Sequence, residues 1–221
     1  MKEEKVSVSS KFWLCSADCL CGTLSGLITG GGMTYFYTKY LGLDEGLASI
    51  VWMIFAVWNA LNDPLFGYIS DRTKSKLGRR IPYIRYGALL YGVIFILSWF
   101  LWPLGGSQTA LFVQMLVSLF FFDTFYTAIA TSLYVLPYTM AESNQARSGI
   151  FVWKIFFTLL SLAAPLVLFP LVRPDVGESA SRFQTIMIML GVVTTLVIFF
   201  STFFYKEKYT SDAEEAPGLW E

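Results

Sequence analysis

Four ionisable side chains interrupt stretches of this sequence that are otherwise apolar: Asp18, Asp63, Asp123 and Lys154. A charge inside a membrane helix is costly, so it normally faces the bundle interior or a water-filled cavity, where it serves ions or polar solutes. Each of the four has polar company at helical spacing. Asn59 and Asp63 stand one turn apart with Asn62 beside them, so their oxygens could ligate one ion. Asp18, Gly22, Ser25, Thr29 and Gly32 make one small, polar face. Thr124, Thr127, Thr131, Tyr134 and Tyr138 make another, with Asp123 just beside it, and Lys154, Thr158, Ser161 and Pro165 make a third. Small residues and hydroxyls at this spacing also serve helix packing, which is the stronger reading for any one glycine, serine or threonine. Packing explains the acids less well.

Depth sharpens the argument. Asp63 is eight residues from Asp71, about 12 Å along a helix. Asp18 is seven from Lys11 and Lys154 is seven from Arg147, so both lie about 10 Å in, while Asp123 is deeper, roughly mid-bilayer. Three charges at similar depth on three helices can converge. Together the four groups carry two uncompensated negative charges, and a low-dielectric site requires that these be protonated or joined by a cation. This predicts Na⁺ or H⁺ binding coupled to the movement of a solute. Snorkelling of Asp18 and Lys154 toward the interface is the rival.

Other chemistry is thinly supported. The chain has no histidine, which removes imidazole metal sites, Ser-His and Cys-His nucleophile pairs and the commonest general base. Any proton coupling would therefore run through carboxylates. Asp63 and Asp123 could be drawn as the dyad of an intramembrane enzyme, but they sit at different depths and no nucleophile or metal motif accompanies them. Cys15, Cys19 and Cys21 could hold a soft metal, although such cysteines more often pack as small apolar residues.

The elements that must position these groups follow from composition. Of 221 residues, 55% are hydrophobic and 14% charged, against about 25% charged in soluble domains. Lys+Arg and Asp+Glu are 16 each, so the basic excess of a nucleic-acid binder is missing, and the hydrophobicity is too high for a disordered chain. Six apolar stretches are long enough to cross a bilayer of about 20 residues' depth, at 12–38, 46–70, 82–103, 109–140, 148–171 and 183–205. The expected organisation is a short cytoplasmic segment 1–11, a six-helix transmembrane half-domain 12–205 and, at 206–221, a polar, mobile cytoplasmic tail or the start of a linker between halves. The opening mixes charge signs, and the first apolar run contains Asp18 and is too long for a signal peptide core, so the first helix is expected to stay. Twelve basic residues fall on one side of the spans and three on the other. The positive-inside rule then places both termini in the cytoplasm, in an integral protein of the plasma (inner) membrane.

The most informative stretch joins the second and third helices, WNALNDPLFGYISDRTKSKLGRRIPYIRYG. Gly67, Asp71-Arg72 and Gly78-Arg79-Arg80 resemble the loop signature of the major facilitator superfamily. The glycines allow tight turns and close backbone approach, and the charges can pair with neighbouring helix ends to hold one side shut. A plain topogenic loop would need the basic residues but neither the glycines nor the aspartate. Asn62-Asp63-Pro64 before the loop and Pro82-Tyr83 after it narrow the resemblance to the glycoside–pentoside–hexuronide:cation symporters, the melibiose permease-like family. TSLYVLPYTMAESNQARSGIFVWK is similar to that family's second signature.

The resemblance implies a set of roles. The family's helix 2 aspartate that ligates Na⁺ or H⁺ matches Asp63, and Asn62 matches as well. The further acid one turn earlier in melibiose-type members is Asn59 here. The family's sugar-binding acids on helices 1 and 4 fall at Thr23 and Ala130, so Asp18 and Asp123 would replace them from neighbouring turns. The basic residue that contacts sugar falls near Lys154. Asp63, Asn59 and Asn62 are thus the expected cation ligands. Asp18, Thr23, Asp123, Tyr134 and Lys154 are expected to face solute. Gly67, Asp71, Arg72, Gly78, Arg79, Arg80 and Arg147 are expected to form a cytoplasmic gate.

The implied fold is an all-α six-helix bundle with 3+3 inverted repeats, the N-terminal half of a twelve-helix transporter. Its partners would be membrane lipid, a sugar-like solute and a C-terminal six-helix half, covalent or separate, or else a second copy. Nucleic acid and cofactors are not expected beyond the coupling Na⁺ or H⁺. No reaction would be catalysed; the work would be alternating access. The competing expectation is a six-helix channel or a regulatory subunit with no solute of its own.

Overall fold

The computed structural model describes residues 5–102, 106–175 and 179–208. Lys2 and the acidic run Asp212, Glu214 and Glu215 lie outside them. Among the described residues the chain forms six helices: α1 (Val8–Tyr40), α2 (Glu45–Arg72), α3 (Ile81–Leu97), α4 (Gln108–Met140), α5 (Asn144–Val172) and α6 (Ser181–Ser201). Five are long and apolar enough to cross a membrane. The third is shorter than its apolar stretch: α3 has 17 residues and ends at Leu97, where Trp99 and Phe100 turn back by hydrogen bonds to Ile96 and Leu97.

Helix starts are written locally in four cases. Ser7, Asp44, Ser107 and Ser143 each accept from backbone N–H groups of the first turn that would otherwise lack partners. The α3 start has no such neighbour, Arg80 being its N-cap. α1 is not continuous. Gly30 (ψ 19°) and Gly31 (φ +96°) leave helical geometry within a wide π-type turn, Ile28–Gly32, and a second such turn follows at Phe36–Tyr40. Only glycine adopts that φ without steric cost.

The principal packing pairs are α1 with α5, α2 with α4, α3 with α4, α1 with α6, and α3 with α6. Exchanging α1 for α4, α2 for α5 and α3 for α6 turns each of these pairs into another of the same set. That is the pattern of two three-helix repeats. The most closely packed helix faces carry small residues. A Cβ added at Gly22 would lie 2.5 Å from Ser161 Oγ, and one at Gly26 would lie 2.6 Å from Pro165 Cγ. The small face of α1 is therefore the surface on which α5 rests. Phe36, Trp99 and Phe183 form an aromatic knot with centroids 5.2–5.7 Å apart. Val152, Phe156 and Leu166 of α5 are exposed.

The two ends of the bundle are chemically distinct. At one, the α1–α2 turn, the α4 start and the α5–α6 turn meet: Gln108 Nε2 donates to Gly42 O, and Tyr35 OH donates to Pro174 O. At the other, Ser10 Oγ donates to Phe204 O and Lys208 N donates to Thr139 O. Residues 206–208 are thus docked, whereas the sequence suggested a mobile tail from 206 onward.

Candidate functional site

A cleft of about 820 Å³ runs between α1, α2, α4 and α5. Asp18, Asp63, Tyr134 and Lys154 line its inner part, and Asp71 and Arg80 its outer end. Two of the three carboxylates are paired with cations. Lys154 Nζ lies 3.3 Å from Asp18 Oδ2, and Arg80 Nη2 lies 2.5 Å from Asp71 Oδ1. Asp63 differs: its partner is a neutral hydroxyl, Thr127 Oγ1, which donates at 3.1 Å. The cleft wall thus presents one carboxylate whose charge no neighbouring side chain is shown to neutralise. Asp63 is exposed to the cleft, so its oxygens are open to a proton or an alkali cation entering there.

Lys154 is held from three directions. Besides Asp18, its ammonium lies 3.4 Å from Leu133 O and 5.7 Å from the Tyr134 ring centroid. The carbonyl is available because Pro137, four residues on, has no N–H to offer it. The Asp18 and Lys154 side chains turn toward each other, with 12% of the Lys154 side chain and 26% of the Asp18 side chain exposed.

The remaining expected ligands do not all reach the cleft. Asn62 is fully buried and faces α4, where its amide nitrogen donates to Asp123 Oδ2 at 2.9 Å and to Asp123 O at 3.3 Å. Asp123 is 6% exposed and is occupied by this contact, so it does not line the cleft as a solute-facing residue would. Thr23 is also buried, its hydroxyl spent on Cys19 O of the preceding turn. Neither of the two expected solute contacts therefore points into the cleft. Asn59 is exposed and outside the lining. Tyr134 is 64% exposed and belongs to the wall.

A second cavity of about 320 Å³ adjoins the first, sharing Asp18, Tyr126, Ala130 and Thr158. Cys19 and Cys21 reach its wall, while Cys15 does not. All three are free and buried, and no group of three or more metal-binding side chains occurs among the described residues.

Of the expected gate residues, Gly67, Asp71 and Arg80 line the cleft, and Gly78, Arg79 and Arg80 surround a residue that the sequence reading placed in the tail, whereas Arg72 and Arg147 have other partners. Glu207 accepts from three backbone N–H groups, those of Arg79 (2.9 Å), Arg80 (2.8 Å) and Ile81 (3.0 Å). It supplies the anionic cap that α3 lacks locally. Gly78 lies beneath it with φ +106°, and a Cβ there would come 2.6 Å from the carboxylate. Arg72 stacks on Tyr68. Arg147 Nε donates to Ala141 O, and its guanidinium lies 5.6 Å from the Tyr138 centroid. Gly67 has open space around it. Thr127 was seen only as part of a hydroxyl face. Its distinguishing signal, a position one helical turn beyond Asp123, is a relation that emerges once α2 is docked on α4.

Comparison with known proteins agrees with this architecture. The family described as MFS/sugar transport protein matches residues 22–220. YagG of Escherichia coli (strain K12), whose name assigns it glycoside/cation symport, is 26% identical over 84% of this chain and 40% of its own length. The inner membrane symporter YicJ of the same organism is 24% identical over the whole chain and 49% of its own length. The symporter YnaJ of Bacillus subtilis (strain 168) is 25% identical over 96% of this chain and 46% of its own length. The chain spans less than half the length of these relatives.

Proposed function

The chain belongs to the MFS/sugar transport protein family, and from that premise we propose that it forms the N-terminal half of a cation-coupled symporter for a sugar or sugar-derived solute. It is an integral membrane protein of a transporter family rather than of an enzyme family. The observation that carries the proposal is Asp63. It lies on the cleft wall with a hydroxyl for a partner, while the other two carboxylates of that wall are matched to Lys154 and Arg80.

On this reading Asp63 and the Thr127 hydroxyl receive Na⁺ or H⁺, with Asn62 assisting. Lys154, Asp18 and Tyr134 meet the solute. An ammonium, a carboxylate and an exposed aromatic ring suit a sugar, whose hydroxyls both donate and accept while its C–H face stacks. The second wall of the site would come from a C-terminal six-helix half or a second copy, both termini of this half lying in the cytoplasm. The Asp71–Arg80 and Glu207 contacts would hold the cytoplasmic side in one of two conformations, and cation and solute would each bias that equilibrium.

The test is uptake by the complete transporter of a glycoside, a pentose and a hexuronate (melibiose, xylose and glucuronate), each with and without an inward Na⁺ or H⁺ gradient. One of the three should be taken up saturably, with stimulation by one cation that Asp63→Cys abolishes. Normal stimulation in Asp63→Cys overturns the assignment. Ion current without saturable uptake marks a channel instead.

A further inference from the structure

Arg85 stands on α3 five residues beyond the N-cap Arg80, about 7.5 Å along the helix axis, and it is not part of the cleft wall. Its Nε donates to Thr202 Oγ1 at 2.9 Å and its Nη2 to Thr202 O at 3.4 Å, which fixes the guanidinium at the end of α6. It lies over the Phe203 ring, 4.2 Å from the centroid. A guanidinium carries five N–H donors. Thr202 takes two of them, and the rest meet neither an acceptor nor a carboxylate among the described residues.

The surface around this group is apolar toward the middle of the bundle and basic beyond its end. Phe203, Tyr86, Leu89 and Phe200 are exposed. Leu89 lies one turn deeper than Arg85 on α3, and Phe200 lies about one turn deeper than Phe203 on α6. Lys74, Lys76, Lys206 and Lys208 are exposed at the same end. The two helices pack closely enough to present one surface, since a Cβ at Gly191 would come 2.6 Å from Ile96 Cγ1. Neither α3 nor α6 lines the cleft, so a second wall that closes the cleft need not cover this surface. In a membrane it meets lipid.

We propose that Arg85 binds the headgroup phosphate of an anionic phospholipid whose acyl chains lie along Leu89 and Phe200 on the outer face of α3 and α6. A guanidinium meets phosphate oxygens with paired N–H donors, and basic groups between membrane helices hold anionic headgroups. Thr202 and the Phe203 ring hold the fork in one orientation before the lipid arrives. Charge selects the lipid. A zwitterionic lipid carries its own ammonium and gains less from a guanidinium that no carboxylate neutralises. Free phosphate shares the headgroup chemistry but lacks the chains that the apolar surface would cover.

The test is native mass spectrometry of the purified full chain with an equimolar mixture of phosphatidylglycerol and phosphatidylcholine of the same acyl chains. The parent should retain phosphatidylglycerol about fivefold more than phosphatidylcholine, the contribution of one basic residue at a membrane surface. Arg85→Gln should remove that preference, and Arg85→Lys, a point charge without the fork, should fall between the two. Phe203→Glu sets a carboxylate at an exposed position beside the guanidinium and should remove the preference with little change in melting temperature. If Arg85→Gln fails to fold, Phe203→Glu and Arg85→Lys carry the test. The double variant Lys74→Gln/Lys76→Gln leaves Arg85 in place and should keep most of the preference. A loss there equal to that of Arg85→Gln overturns the site, because diffuse charge would then suffice. A parent without preference overturns it too, as does an Arg85→Gln protein that melts earlier yet keeps the preference, since Arg85 would then only tie α3 to α6. Inorganic phosphate in excess should leave the bound lipid in place; displacement to the level of Arg85→Gln would mark a site for free phosphate and overturn the lipid assignment.

Discussion

Lys154 of α5 reaches Asp18 of α1 at 3.3 Å and, from the other side, the carbonyl of Leu133 on α4. Three helices are thus tied at one ammonium group. The carbonyl is open to it because Pro137 leaves Leu133 without its helical donor. A helix-breaking residue in α4 and a charge in α5 are two parts of one junction, set in the wall of the cleft.

The junction predicts a strongly non-additive mutant cycle. Lys154→Leu strands Asp18 against an apolar surface, and Asp18→Asn strands Lys154. Each single change should cost about 2 kcal/mol, at the low end for a pair of this burial because part of each side chain meets solvent. The double variant Asp18→Asn/Lys154→Leu should regain at least half of the summed loss. Thermal unfolding in detergent measures the cycle. Additive losses would show that the two charges are not coupled.

The Glu207 cap makes a prediction about a junction 126 residues apart in sequence. Glu207→Ala leaves the N–H groups of Arg79, Arg80 and Ile81 without their acceptor. The expected cost is about 1–2 kcal/mol, the range for loss of a helix cap. Hydrogen exchange at those three amides should speed up by at least tenfold. Glu207→Gln keeps one oxygen acceptor and should fall between the parent and Glu207→Ala. Unchanged exchange in Glu207→Ala would show that the carboxylate is not their protector.

Gly78 tests the same contact from beneath. Its φ of +106° disfavours any L side chain, and a Cβ would meet the Glu207 carboxylate. Gly78→Ala should therefore lower the melting temperature and expose the Arg79–Ile81 amides together, about as much as Glu207→Ala does. Gly67→Ala, a change at the other glycine of the same motif, meets open space within α2 and should leave the Arg79–Ile81 amides where they were, while the melting temperature rises slightly because glycine inside a helix costs about 0.5–1 kcal/mol against alanine.

What could be read from the sequence divides along the range of the interactions. Span positions follow from hydropathy, and the similar depth of Asp18 and Lys154 follows from about 1.5 Å of rise per residue; the helix ends lie close to the expected bounds except in α3, which stops at Leu97. The partners of the polar groups did not follow. Asn62 and Asp63 are adjacent in the chain yet serve different neighbours, because a 100° step per residue turns one toward α4 and the other toward the cleft. Asp123 was therefore expected to face solute when it faces Asn62. Glu207 reads in the sequence only as one acid of the polar tail, because an acid after the last span has no periodic signature. Its meaning lies in the uncapped start of α3, and only the fold brings the two together.

The glycines of α1 give the sharpest test of how the bundle closes. The sequence places Gly22 on a small, polar face open to either solute contact or packing; the structure sets Gly22, and Gly26 one turn on, against Ser161 and Pro165 of α5. A methyl at position 26 would sit 2.6 Å from the rigid Pro165 ring, which has few rotamers with which to yield. At position 22 it would meet Ser161 Oγ, which can rotate away. Gly26→Ala should thus cost about 1–3 kcal/mol, the range for overpacking, and Gly22→Ala appreciably less. The compensating change Pro165→Ala should rescue Gly26→Ala but not Gly78→Ala. Melting temperatures of these variants in one detergent decide it, and a Gly26→Ala protein as stable as its parent would mean that α1 and α5 do not close at this point.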